Sequence, residues 1–292
     1  MGVRDVFTLI KSRPEAIFIW SWSTLIACLI VNGGLPPLGE TFTVVGASAL
    51  LAASAYIYND LIDAEMDRYN PDKKARPIAA GEVSEGFALG FVVATGVLGL
   101  ALASLLNRAA FLFEAAFYVL YMLYSYPPVR FKKMFILKEV VSCSGWVLLA
   151  LAGVYATTGA FSFKGIFAGV MMGVFSFLGL PALSDSLDET EDALFEVNSL
   201  ARSLTWRQRV LFLVAAIGVL TVSTLVGYRP LGFNGFLPVA VVASSLFLLS
   251  RVRTIVEGYD REKVLRVRSY TYYYVILSTV YMILGALNLP FF

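Results

Sequence analysis

Histidine is absent from the 292 residues. That removes the commonest general base near neutral pH and the commonest zinc ligand. Cysteine is nearly absent: Cys28 and Cys143 both fall in apolar stretches, where they read as small buried hydrophobes, too few for a disulfide or metal framework. Charge is scarce too, at 15% Asp, Glu, Lys and Arg, whereas a soluble domain carries about a quarter. The net charge of +2 is spread over short loops with no broad basic face, which argues against a nucleic-acid partner. The N-terminal stretch up to Pro14 carries Arg4, Asp5, Lys11 and Arg13, so it does not read as a cleavable signal. Any catalysis therefore falls to carboxylates, Lys, Arg, Tyr, Asn or a metal held by oxygen.

What the chain has in abundance is apolar sequence, 58% of residues, arranged in long blocks. A helix needs about 20 apolar residues to cross the hydrocarbon core. Runs that meet this need lie near 15–33, 42–60, 86–106, 109–126, 136–157, 164–184, 208–227, 233–251 and 270–290. The expectation is an all-α polytopic membrane protein of about nine helices around a central cavity, forming one domain over 1–292. Alternating these spans puts 20 of the 23 basic residues on one side. Only Arg108, Lys164 and Arg229 fall on the other. Because cytoplasmic loops collect Lys and Arg, the N-terminus and the long polar loops are expected inside and the C-terminus outside.

Seven of the nine aspartates sit in two of those inner loops. Asn59-Asp60 opens the first cluster, followed by Asp63 and Asp67, and the second holds Asp185, Asp188 and Asp192. The three-then-four spacing recurs at one constant offset of 125 residues. Positions i, i+3 and i+7 share a helix face, so each cluster offers a stripe of carboxylates where a membrane helix meets the cytoplasm. Charged cytoplasmic loops are common, and one such triplet would be unremarkable. Two at the same spacing point to function, because ionisable groups at the membrane edge are costly. Six converging carboxylates need compensating cations, and hard oxygen donors of this density suit Mg²⁺, which takes one or two carboxylates plus phosphates and water. A pair of Mg²⁺ ions bridging the protein to a diphosphate is the expectation.

Cationic partners lie close by. Lys73, Lys74 and Arg76 follow the first cluster, Arg202 follows the second, and the loop from Tyr124 carries Tyr126, Pro127, Pro128, Arg130, Lys132 and Lys133. Arg grips phosphate through two N–H groups at once, and Lys acts as a point charge. Each of these could instead serve topology and anionic lipid. Aromatic residues Tyr56, Tyr58, Phe117, Tyr118, Tyr121 and Tyr124 precede or face the clusters. They could line a dry pocket for a developing cation, or simply pack.

These residues resemble the UbiA superfamily of intramembrane prenyltransferases. Its N-x3-D-x3-D motif is matched by Asn59, Asp63 and Asp67, its D-x3-D motif by Asp188 and Asp192, and its Y-x3-K motif by Tyr126 with Arg130 in place of Lys. Arg76-Pro77-Ile78 and Gly81 are family-like as well, and the likeness covers nearly the whole chain. The chain departs from many relatives at Ser184, where Lys is usual, and at Glu191, where Gly is usual; the subfamily is therefore open. The resemblance implies Mg²⁺-dependent transfer of a prenyl group from a prenyl diphosphate to a small-molecule or lipid acceptor. It implies Asn59, Asp63, Asp67, Asp188, Asp192, Tyr126 and Arg130 at the catalytic centre. The diphosphate would meet Lys74, Arg76, Lys132 and Arg202, and the metals would be held by Asp60, Asp63, Asp67, Asp185, Asp188 and Asp192. The competing readings are a CDP-alcohol phosphotransferase, which would need an Asp-Gly-x2-Ala-Arg run that this chain lacks, a cation transporter, and a non-enzymatic lipid binder.

Overall fold

A computed structural model of the chain describes residues 2–71, 73–187 and 200–287. Helices dominate, and no strand occurs among the described residues. A short helix α1 (Val3–Ser12) leads into α2 (Pro14–Asn32), α3 (Leu38–Asp67), α4 (Glu85–Ser104), α5 (Arg108–Ser125), α6 (Leu137–Thr158) and α7 (Phe163–Leu187). A single turn, α8 (Leu200–Ser203), precedes α9 (Trp206–Gly227), α10 (Phe236–Val252) and α11 (Arg261–Ala286). Each of the nine apolar runs read from sequence carries one of the long helices. Seven of them, α2, α3, α4, α6, α7, α9 and α10, are long and apolar enough to cross a membrane on length and composition alone. The other two are diluted by polar residues, α5 by Arg108, Glu114 and its tyrosines, and α11 by the charged stretch from Arg261 to Arg268 and by the tyrosines, serine and threonine of 269–274 that follow it.

Local chemistry sets the helix ends. Pro14 occupies the first turn of α2, where its missing N–H costs nothing, and Gly33 closes the helix in the left-handed region at φ 60°. Ser84, Asn107, Thr205 and Asp260 cap the first turns of α4, α5, α9 and α11 with side-chain oxygens. Between those ends the helices form a closed ring: each packs on its neighbour from α2 round to α11, and α11 returns to α2 and α7. Apolar seams between helices hold Leu51, Phe117, Leu149, Met172 and Leu213, all fully buried. Small residues bring backbones close where no side chain would fit. A Cβ on Gly169 of α7 would lie 2.6 Å from the Trp146 carbonyl oxygen of α6, and one on Gly153 of α6 equally near the Thr24 carbonyl of α2.

Two features move beyond the sequence expectation. The aspartate cluster at 60–67 is not in a loop: α3 runs on to Asp67, so Asp60, Asp63 and Asp67 all lie on the buried face of its last turns. The charged N-terminal segment is a helix, α1, with Val6 and Leu9 turned toward Ile57, Ile78 and Phe91.

Candidate active site

The triad helix, the linker after it and the α5–α6 connection meet at one end of the bundle around a cavity of about 300 Å³. Its acidic wall is Asp63 and Asp67, with Asn59 beside them. Its basic wall draws on every nearby connection: Arg13, Lys73, Arg76, Arg130, Lys132, Lys133 and Lys138. Tyr56, Tyr121 and Tyr124 complete the lining.

Each carboxylate of the first triad is held by cations of this chain. Arg130 Nη2 lies 2.9 Å from Asp63 Oδ1, and Lys132 Nζ contacts the other oxygen. The Asn59 amide oxygen accepts from Ser125 Oγ at 2.7 Å and from Lys132 Nζ at 3.2 Å, so the same lysine ties Asn59 to Asp63. Arg76 Nη1 bridges Asp67 Oδ2 at 2.7 Å and Asp60 Oδ1 at 3.1 Å. Asp60 is 2% exposed, is gripped from the other side by Arg13 through Nε at 2.8 Å and through Nη2, and does not line the cavity. Burial lowers the Lys132 ammonium below the ordinary lysine value, against the opposing pull of Asp63.

The α5–α6 connection is shaped to deliver two of those cations. Past Pro127 and Pro128 the chain turns on Tyr126, whose carbonyl accepts from the amides of Val129 at 3.0 Å and Arg130 at 2.7 Å. Arg130 then sits at φ 49°, a left-handed conformation that a side chain disfavours. The turn that follows carries Lys132 and Lys133. Arg130 Nε is buried with no hydrogen-bond partner among the described residues, a donor left over beside the cavity.

Deeper in, Tyr56, Tyr121 and Tyr124 join a set of rings with Trp20, Phe117 and Trp146. Phe117 and Tyr121 have centroids 4.5 Å apart, Trp20 and Tyr121 5.1 Å. Trp20 Nε1 donates to the Tyr56 hydroxyl at 3.1 Å. One end of the cavity is thus ionic and the other aromatic.

The sequence-derived candidates divide clearly. Asn59, Asp63, Asp67, Arg76, Arg130 and Lys132 come together. Asp185 approaches from α7, its Oδ2 lying 3.3 Å from Nζ of the cavity-lining Lys138, so the first aspartate of the second cluster reaches the same end of the bundle. Asp188 and Asp192 lie outside the described residues. Tyr126 is 45% exposed and off the cavity; its backbone, not its ring, shapes the site. Lys74 points outward, and its neighbour Lys73 takes the place at the wall. Arg202 sits exposed on α8 and is not among the lining residues. Tyr58 and Tyr118 are absent from the lining as well; the Tyr118 hydroxyl is 3.0 Å from Ser54 Oγ. In the sequence Arg13 and Lys138 stand out only as two of the 20 inner basic residues. Their one signal was position: each stands at the first turn of an apolar helix.

Metal chemistry can be weighed on this donor set. Among the described residues no group of three or more His, Cys, Asp or Glu is preformed as a cage. The cavity nevertheless offers only hard oxygens, two carboxylates and an amide, with cations around them. That suits an ion which takes one or two carboxylates and completes its shell with phosphate and water.

Comparison with known proteins agrees. The model of the UbiA prenyltransferase family matches residues 20–289. A digeranylgeranylglyceryl phosphate synthase of Methanoculleus marisnigri is 30% identical over 220 residues, 73% of this chain and 74% of that one. A 4-hydroxybenzoate octaprenyltransferase of Shewanella loihica is 34% identical over 95 residues, and the match spans only 33% of that relative's length. Among solved structures, one of a digeranylgeranylglyceryl phosphate synthase superposes with TM-score 0.72 at 18% identity, covering 98% of this chain and 100% of the other. A UbiA homologue from Archaeoglobus fulgidus bound to DMAPP and Mg²⁺ gives 0.69 at 18% identity, covering 97% and 99%. The extent of the family match separates the chain from the CDP-alcohol phosphotransferases. The chain belongs to the UbiA prenyltransferase family.

Proposed function

We propose that this multi-pass membrane protein is a prenyltransferase that uses Mg²⁺ and a polyprenyl diphosphate donor and releases diphosphate. One observation carries this: carboxylates, cations and aromatic rings face a single cavity at the end of a membrane bundle, ionic at one side and apolar at the other. In the reaction the allylic C–O bond breaks and its electron pair leaves with the diphosphate. A bond then forms from that carbon to the acceptor, which gives up one proton.

The chain's own residues divide that work. Asp63 and Asp67, with Asp188 and Asp192 from the second cluster, would hold two Mg²⁺ ions. Bound there, Mg²⁺ supplies charge neutralisation on the diphosphate oxygens. Arg130, Lys132, Lys133, Lys73 and Arg76 bind the departing oxygens, preorganised by ion pairs and turns. Arg130 Nε, buried and without a partner among the described residues, has a donor to give. Tyr56, Tyr121 and Tyr124 exclude water at the allylic carbon and present π faces to its positive charge. The cavity end of the bundle carries the basic loops, which supports a cytoplasmic N-terminus and active site and an external C-terminus.

For the acceptor, a glycerolipid with geranylgeranyl donor ranks ahead of a quinone-type aromatic. Support comes from the relative aligned over 73% of the chain, a digeranylgeranylglyceryl phosphate synthase, whereas the octaprenyltransferase match is confined to a third. The test is incubation of purified protein with Mg²⁺, geranylgeranyl diphosphate and a panel of glycerol-phosphate and aromatic acceptors. Turnover that needs Mg²⁺ and disappears in Asp63→Ala and Asp188→Ala is the expected result. Undiminished activity in either variant would overturn the metal assignment.

A further inference from the structure

All three aspartates of the first cluster are buried and paired with cations, but Asp60 differs from the other two in its place relative to the cavity and in the fork that holds it. Asp63 and Asp67 line the cavity; Asp60 does not. It is 2% exposed, and both of its oxygens are taken by guanidinium groups. Arg13 grips it with two donors, Nε on Oδ2 at 2.8 Å and Nη2 on Oδ1, the planar fork that fixes a guanidinium in orientation as well as position. Arg76 Nη1 reaches the same Oδ1 at 3.1 Å while holding Asp67 at 2.7 Å. Both arginines line the cavity and keep N–H groups beyond those that Asp60 occupies. A divalent ion at Asp60 would have to break the fork and strand a mostly buried arginine.

We infer that Asp60 is a positioning residue that anchors Arg13 and Arg76 for an anionic ligand, and that it is not a metal ligand. This rests on the proposed function, since the anionic ligand is the diphosphate. The motif's first aspartate thus does work opposite to its neighbours. It keeps cations in the site, and it joins the α1–α2 junction to α3 and to the linker carrying Arg76. Arg13, at 6.0 Å over the Tyr56 ring, then stands where the ionic wall meets the aromatic one.

The experiment uses the full-length protein in detergent with Mn²⁺ as a magnetic stand-in for Mg²⁺. Mn²⁺ binding is followed by electron paramagnetic resonance at saturating inorganic diphosphate. Separately, inorganic diphosphate is titrated by thermal shift at saturating Mn²⁺. Asp60→Asn is expected to leave the Mn²⁺ midpoint within about twofold of wild type, while the half-saturating diphosphate concentration rises about tenfold or more. Asp63→Asn should weaken Mn²⁺ itself. Arg13→Lys keeps the charge but loses the fork, and it should reproduce the Asp60→Asn pattern, which keeps the question answerable if Asp60→Asn folds poorly. Weakening of Mn²⁺ in Asp60→Asn to the extent seen in Asp63→Asn would overturn the assignment. So would unchanged diphosphate affinity in Asp60→Asn or in Arg13→Lys. Absence of any diphosphate binding by the wild type would instead sink the proposed function.

Discussion

At Asp63 both carboxylate oxygens are engaged by Arg130 and Lys132, and the loop that delivers those cations holds Arg130 in a left-handed conformation. A strained backbone persists where surrounding contacts over-determine it, and here they include the Tyr126 carbonyl and the Asp63 carboxylate. Removing the guanidinium should cost more than removing its shape. Arg130→Ala is expected to lower kcat/KM by about 10²–10³, the range seen when one preorganised donor is lost. Arg130→Lys retains the charge and should recover most of that loss, though not the Nε donor; equal kinetics for Arg130→Lys and Arg130→Ala would show that charge at this position is immaterial. The carboxylates of this site were legible because their spacing repeats. Arg13 and Lys138 were not, because a lone cation at the start of a helix has no periodic partner in the sequence; only folding sets Arg13 against Asp60 and Lys138 against Asp185. Tyr126 is the converse case: its motif position is legible in the sequence, but its ring lies off the cavity and its carbonyl turns the chain toward Arg130.

Among the elements, α6 and α7 pack at close range, and their separation depends on residues without side chains. On Gly169 an added Cβ would meet the Ala150 Cβ at 2.5 Å and the Trp146 carbonyl oxygen at 2.6 Å, and backbone cannot swing aside. Gly169→Val should therefore destabilise the protein by about 1–3 kcal/mol, the usual penalty for overpacking. Gly90 of α4 is exposed and an added Cβ would meet nothing within 4 Å, so Gly90→Ala should stay within about 0.5 kcal/mol of wild type. Melting of the two variants in the same detergent separates them, and similar melting temperatures would contradict the close-approach account. Apolar block length located every long helix, because a membrane span must be apolar over its whole length. It said nothing of α1, ten residues that alternate Val6 and Leu9 against the bundle with Arg4 and Lys11 outside. Nor did it show that α3 continues through Asp67, where polarity looks like a loop but the helix face is buried.

For the whole molecule, the distribution of positive charge is the strongest constraint on how the bundle sits in the bilayer. The cavity end collects Arg13, the linker from Lys73 to Arg76, the turn from Arg130 to Lys138 and the charged start of α11, while the opposite end has only Arg108, Lys164 and Arg229. With about 1 kcal/mol for each basic residue near an anionic leaflet, inversion would lose on the order of 10 kcal/mol, far more than any single loop can restore. The consequence can be read chemically. Replacing Cys28 and Cys143 with serine removes both native thiols, after which single cysteines at Lys74 and Ala160, both exposed and at opposite ends of the bundle, report the two sides. In intact cells a membrane-impermeant maleimide should label Ala160→Cys and leave Lys74→Cys untouched until the membrane is permeabilised. The reverse pattern would place the cavity on the external face. There an enzyme drawing on cytoplasmic prenyl diphosphate and Mg²⁺ could not be supplied, so the orientation and the chemistry stand or fall together.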